Sequence, residues 1–254
     1  MNLLVMKIIK VNSFTLYFLL ISFLCGYIKI TLIILLIVIF HELGHMFFIW
    51  RFKYKIIEVT IYPFGGITRV EKDINTPLKV EFLIALGGVL FQCFIYILLF
   101  FPLREYMKEI ILKYNTSILL FNLLPIIPLD GSIILNTILN KFFSYKKAYF
   151  VYIFCSIIFI GLYVLFNYYY SLNNYLIIFL FIYKTIEVLK NYKYCYNRFL
   201  LERYLYNYNF KYLSTRKGNL DILKKDTYQY FKEENHIISE KKKLQERFDK
   251  KRRI

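Results

Sequence analysis

ITLIILLIVIFHELGHMFFIW, residues 30–50, decides how this chain is read. From Ile30 to Phe40 no residue is charged, and the run is long enough to cross a hydrocarbon core of ~30 Å at ~1.5 Å per helical residue. Into that apolar helix the chain sets His41, Glu42 and His45. Positions i and i+4 share a helix face, so both imidazoles reach one metal ion. Glu42, between them, is placed to take a proton from an attacking water rather than to ligate. The bland alternative is a histidine pair hydrogen-bonded in a helical core, since His-Glu-x-x-His also occurs by chance in soluble proteins. The setting weighs against it. Three polar groups within five residues would each need a partner away from water, and ionisable groups in an apolar helix are costly without a function.

The rest of the chain agrees with a membrane setting. Of its 254 residues 58% are hydrophobic and 20% aromatic, more apolar than a soluble domain, with the charges pushed to the ends of the apolar runs. The runs predict six transmembrane helices: residues 11–28, 30–50, 81–103, 114–139 (broken by Pro125 and Pro128), 149–168 and 172–189. The first has no small-residue cleavage site and the next helix follows at once, so it reads as a membrane segment and not a signal peptide. Lys7 and Lys10, the basic residues from Arg51 to Lys79, Lys141 with Lys146 and Lys147, and Lys190 with Lys193 then fall on one side. The turn over 167–174 is uncharged. The positive-inside rule puts both termini in the cytosol, against a weaker opposing signal from Arg104, Lys108 and Lys113 that Glu105 and Glu109 partly offset. Four cysteines match no zinc or redox spacing and imply no disulfide framework.

Two segments differ in texture. Residues 55–70 favour a β-hairpin, with β-formers on either side of Pro63, Phe64, Gly65 and Gly66. Unpaired strand edges cannot face lipid, so the hairpin belongs at the cytosolic rim or inside the protein. Residues 191–254 hold 17 basic and 8 acidic side chains, about half of the formal +17 of the chain. Beside a membrane helix such a tail suits anionic lipid better than nucleic acid. The expected architecture is an all-α polytopic membrane protein with a small rim hairpin. Residues 1–190 form its transmembrane catalytic domain. Residues 191–254 form a juxtamembrane amphipathic helix and a basic cytosolic tail ending in a solvated helix.

Two histidines leave a tetrahedral zinc one protein ligand short, with water as the fourth. Acidic residues are scarce in the apolar runs, and Asp130 in NLLPIIPLDG (122–131) stands out. Two prolines there free backbone groups. Asp130 and Gly131 also suit a plain turn, though a turn does not explain why Asn122 interrupts the helix.

With these motifs in place the chain resembles the site-2 protease family of intramembrane metalloproteases, over about residues 1–205. The closer likeness, to a branch acting in sporulation, is carried by YPFGG (62–66), PLKVEF (77–82), NLLP (122–125), PLDG (128–131) and RFLLERY (198–204). The resemblance implies one zinc per chain, held by His41, His45 and Asp130, with Glu42 as general base. It also implies roles in positioning the substrate for Asn122, Gln92, Gly65, Gly66 and Pro125. The family's Gly-Pro-x-x-Asn element reads GVLFQ (88–92) here, with Gln92 in place of Asn; its amide makes the same kinds of hydrogen bond. The implied substrate is a membrane-tethered protein, such as the pro-form of a sporulation sigma factor. The bilayer is the surrounding, and there is room for inhibitory membrane-protein partners. A nucleotide-sensing domain of the cystathionine-β-synthase type would need more chain than follows Tyr204, so residues 224–240 read as a shortened relic. His236 reads as a surface residue. The rival function is a metal-ion transporter that binds its cargo through the same His and Asp residues. Inverted repeats would support it, and the two halves show none.

Overall fold

Gly26, at φ 78°, turns the chain between two apolar helices, α1 (Ser13–Leu24) and α2 (Ile28–Arg51). The left-handed region it occupies is one that only glycine enters freely. The computed structural model describes residues 9–62, 65–102, 104–166, 172–210, 212–233 and 236–249. Pro63 and Phe64 of the expected hairpin turn, and residues 167–171 of the expected uncharged turn, lie outside them. The chain forms two compact units: residues 1–72 with 83–123, and residues 73–82 with 124–254.

In the first unit, β1 (Ile9–Val11) pairs parallel with β2 (Lys55–Tyr62), which pairs antiparallel with β3 (Gly65–Glu71). The expected hairpin is therefore present, with a third strand added from a segment read as the approach to the first helix. Ile33 and Ile37 of α2 pack with Ile95 of α3 (Leu78–Leu98) and with Met107, Ile110, Tyr114 and Ile118 of α4 (Glu105–Asn122). Leu36 and Trp50 stay 64% and 71% exposed, an apolar outer surface suited to lipid.

In the second unit, α5 (Asp130–Phe142), α6 (Tyr145–Phe166), α7 (Leu172–Lys190) and α8 (Tyr192–Leu205) precede a sheet of β4 (Tyr212–Arg216), β5 (Thr227–Glu233) and β6 (His236–Ser239). A last helix, α9 (Glu240–Asp249), follows. Tyr145, Phe199, Leu200, Leu223, Phe231 and Leu244 form its core, with Tyr145 stacked on Phe199 at 4.2 Å. The Arg203 side chain is fully buried and meets Glu240 at 2.6 Å; it also donates to the carbonyls of Lys224 and Thr227.

Three helices among the described residues are long and apolar enough to cross a membrane: α2, α3 and α6. The others differ for physical reasons. α1 has 12 residues, only ~18 Å of helix. α7 carries Lys184, Glu187 and Lys190 in its second half. The expected fourth span is two separate helices, α4 and α5, because prolines at 125 and 128 cannot donate to a helical ladder and clash with the preceding turn. α4 also starts earlier than expected, at Glu105, and takes in the charges of 105–113. The all-α expectation misses the sheet of the C-terminal segment. TYQYFKE (227–233) sends alternate side chains inward, Gln229 and Phe231 being buried, but its charged neighbours mask that period-2 pattern. α8 buries one face, Tyr196, Phe199, Leu200, Glu202 and Arg203, and exposes the other, including Lys193, Tyr194, Asn197 and Arg198.

Candidate metal centre

α2 sets His41, Glu42 and His45 on consecutive turns, and their ligand atoms lie within 4.8 Å of one another. His41 is 5% exposed. Each imidazole is fixed through its Nδ1. That of His45 lies 2.7 Å from the backbone oxygen of Ile84. A carbonyl only accepts, so His45 Nδ1 carries the proton and Nε2 is left with a lone pair. His41 Nδ1 lies 2.9 Å from Gln92 Oε1, the same arrangement with an amide oxygen as acceptor. The two Nε2 atoms face each other at 3.0 Å. Two lone pairs at that distance repel unless a cation lies between them. A tetrahedral zinc with Zn–N of ~2.0–2.1 Å spaces its donors ~3.3–3.4 Å apart. Donor type suits a zinc site, and the 3.0 Å separation lies within a few tenths of an ångström of that spacing.

Glu42 faces the hairpin. Its Oε1 accepts from the Gly66 N–H at 3.1 Å, and its Oε2 from the Thr68 hydroxyl at 3.4 Å. The carboxylate is thus held by β3 beside the two imidazoles.

Glycines make the close approaches possible. A Cβ on Gly88 would sit 2.4–2.7 Å from three atoms of the His41 ring, and one on Gly66 would sit 2.5 Å from Glu42 Cδ. Where α2 crosses α3, a Cβ on Gly44 would fall 2.2 Å from the Gly87 oxygen. The helices touch backbone to backbone there, as small residues allow.

Of the residues singled out from sequence, Gln92 reaches His41 and Gly66 reaches Glu42. Gly65 opens β3 opposite Tyr62. Asn122 closes α4 in the first unit. Pro125 lies between helices, and Asp130 is the half-buried first residue of α5, in the second unit. Ile84, Thr68 and Asn115 escape the sequence reading, and Gly88 enters it only as part of the GVLFQ element. A double glycine at 87–88 in an apolar run was the available signal for close backbone approach.

Comparison with known proteins finds similar chains. The model of peptidase family M50 matches residues 29–107. Stage IV sporulation protein FB of Bacillus subtilis is 35% identical over 196 residues, covering 71% of this chain and 66% of that protein. A zinc metalloprotease of Methanocaldococcus jannaschii is 33% identical over 121 residues, covering 44% of this chain and 34% of that one. A solved site-2 protease from Methanocaldococcus jannaschii aligns with a TM-score of 0.48 at 22% identity, over 75% of this chain and 90% of that one. The chain therefore spans just under two thirds of the sporulation protein and about a third of the archaeal metalloprotease.

Proposed function

We infer that this chain is a member of peptidase family M50, the site-2 protease family of membrane proteins, from the match over residues 29–107 and the 35% identity with the sporulation protein. It is an intramembrane metalloprotease that hydrolyses a peptide bond of a membrane-tethered protein, such as the precursor of a sporulation sigma factor. The observation that supports this best is the convergence of His41 Nε2 and His45 Nε2 at 3.0 Å, beside the Glu42 carboxylate.

One zinc per chain is the group these residues suit, with Asp130 as the third ligand on grounds of residue type and resemblance. When bound, zinc makes a water acidic near neutral pH and polarises the substrate carbonyl. The chain's own residues do the rest. Glu42 accepts the proton of the attacking water and returns it to the leaving amine. Gly66 and Thr68 aim its carboxylate. His45, anchored on a backbone carbonyl, cannot turn its Nε2 away without breaking the bond to Ile84. β3 lies at the edge of its sheet, so a substrate segment unwound from helix could add to it as a further strand, exposing its carbonyls. Six crossings with cytosolic termini remain the topology that the charge distribution supports.

The test is co-expression with a membrane-tethered sigma-factor precursor, scored for a shortened product. Glu42→Gln should abolish cleavage while the protein still inserts and retains zinc. Cleavage by Glu42→Gln at the wild-type rate would remove Glu42 as the base.

A further inference from the structure

Asn115 lies in α4, and nothing in its sequence neighbourhood marks it: it is one polar residue of a helix that also carries Asn122, Thr116 and Ser117. Yet its side chain is fully buried, as is that of Gln92. Asn115 Nδ2 donates to the backbone oxygen of Gln92 at 3.3 Å, and Asn115 Oδ1 accepts from Gln92 Nε2 at 3.3 Å. Gln92 Oε1 is then left to face His41 Nδ1 at 2.9 Å.

The order of these bonds matters because both amides could in principle be turned over. We propose that Asn115 is a positioning residue for the metal centre, acting through the Gln92 amide to fix the tautomer of His41. The proposal rests on the metalloprotease reading above. The backbone oxygen of Gln92 is the fixed point, since a carbonyl has no donor form. It requires the NH2 of Asn115 to face it. The Asn115 oxygen must then face the Gln92 NH2, and the Gln92 oxygen must face His41. His41 Nδ1 therefore carries the proton, and Nε2 keeps the lone pair that a cation would take. Turning the Gln92 amide would point a donor at Nδ1, drive the proton to Nε2 and remove a ligand. Turning Asn115 to follow would set two oxygens against each other, since the Asn115 oxygen would then face the backbone oxygen of Gln92 in a buried site. His45 achieves the same end directly, through the Ile84 oxygen. Both ligands are thus referred to backbone carbonyls of α3, one at first hand and one through two amides.

The test separates orientation from packing. Full-length protein is purified, stripped of metal, and titrated with zinc against a competing chelator, in wild-type and Gln92→Glu backgrounds. A carboxylate at position 92 has no donor end, so an oxygen faces His41 in every case; its other oxygen then meets the Asn115 oxygen, and removing Asn115 there takes away no orienting bond. Asn115→Leu should weaken zinc binding by ~10–100-fold in the wild-type background, as loss of a group orienting a ligand does. It should have little further effect once Gln92→Glu is present. Selective 15N labelling of histidine in the metal-free protein should show His41 moving from the Nδ1–H form toward a mixture in Asn115→Leu alone. Equal losses in both backgrounds, or failure of Asn115→Leu to fold in both, would assign Asn115 to packing and overturn the proposal. Unchanged zinc affinity in Asn115→Leu would overturn it too, leaving the metalloprotease reading intact. A wild-type chain that binds no zinc would overturn both.

Discussion

Gly88→Ala is the sharpest perturbation the centre offers, because it adds one methyl group against a ring that has nowhere to go. The added carbon would lie 2.4 Å from His41 Cε1, 2.5 Å from Nε2 and 2.7 Å from Nδ1. Ordinary carbon contacts begin near ~3.5 Å, so ring or helix must move by about 1 Å. The ring is tied at Nδ1 to Gln92 and faces His45 across 3.0 Å; α3 is tied to α2 at Gly44 and Gly87. Overpacking of this kind costs about 1–3 kcal/mol of stability. The larger effect is on function, since a displacement of about 1 Å at a reacting centre can cost ~100-fold in rate. We expect Gly88→Ala to insert and fold, with weaker zinc binding and cleavage reduced at least tenfold. Gly161→Ala serves as the control, because a Cβ there meets nothing within 4 Å. Zinc affinity by chelator competition and cleavage of a membrane-tethered reporter are measured side by side. Wild-type values for both in Gly88→Ala would refute the packing argument and the assignment of His41 as a ligand.

Three further outcomes follow from other parts of the chain. Asp130→Ala should lower zinc occupancy more than Asn122→Ala, measured by metal analysis of purified protein; full occupancy in Asp130→Ala would exclude it as a ligand. Arg203→Met leaves the buried Glu240 carboxylate without its cation, at a cost of about 3–5 kcal/mol. Chemical denaturation should show this loss, and Glu240→Leu added to it should recover part; a single substitution costing under ~1 kcal/mol would contradict the burial of that pair. Hydrogen bonds from Lys146 and Tyr196 hold the Asp221 carboxyl below its ordinary value. Its stabilising contribution is therefore present above the unfolded-state value and is lost as pH falls through the folded one. The pair is about half exposed, so the contribution is at most ~1 kcal/mol. Asp221→Asn should flatten the acid limb of the melting temperature against pH, and an unchanged limb would count against it.

How much of this was legible in advance depended on the range of the interaction. His41, Glu42 and His45 are readable because helical periodicity alone puts the two imidazoles together, and an apolar run makes polar residues conspicuous. Asp130 stands out for the same reason, and Pro125 and Pro128 mark the break between α4 and α5, though not that the helices separate fully. The hairpin is readable from its β-formers. Contacts between distant segments are not. Nothing local says that Gly88 lies against His41, that Gly66 caps Glu42, or that Asn115 bonds to Gln92, because each pairing is set by how helices and strands meet. β4 to β6 are hidden differently: the positive charge of residues 191–254 suggests a solvated tail, while buried Phe231 and Leu244 organise a core around β5 and α9.

The backbone contact of Gly44 with Gly87 has a thermal consequence. In lipid, helix association draws on close packing and weak C–H···O contacts, because the surrounding chains are as apolar as the side chains themselves. The hydrophobic effect weakens on cooling, but a contact that never depended on it does not. The crossing that holds His41 and His45 beside α3 should therefore keep its geometry in the cold, while the β4–β6 sheet and α9, packed through Phe231 and Leu244, lose part of what holds them. A drop in temperature would loosen the sheet and α9 of the second unit before the His41–His45 crossing of the first.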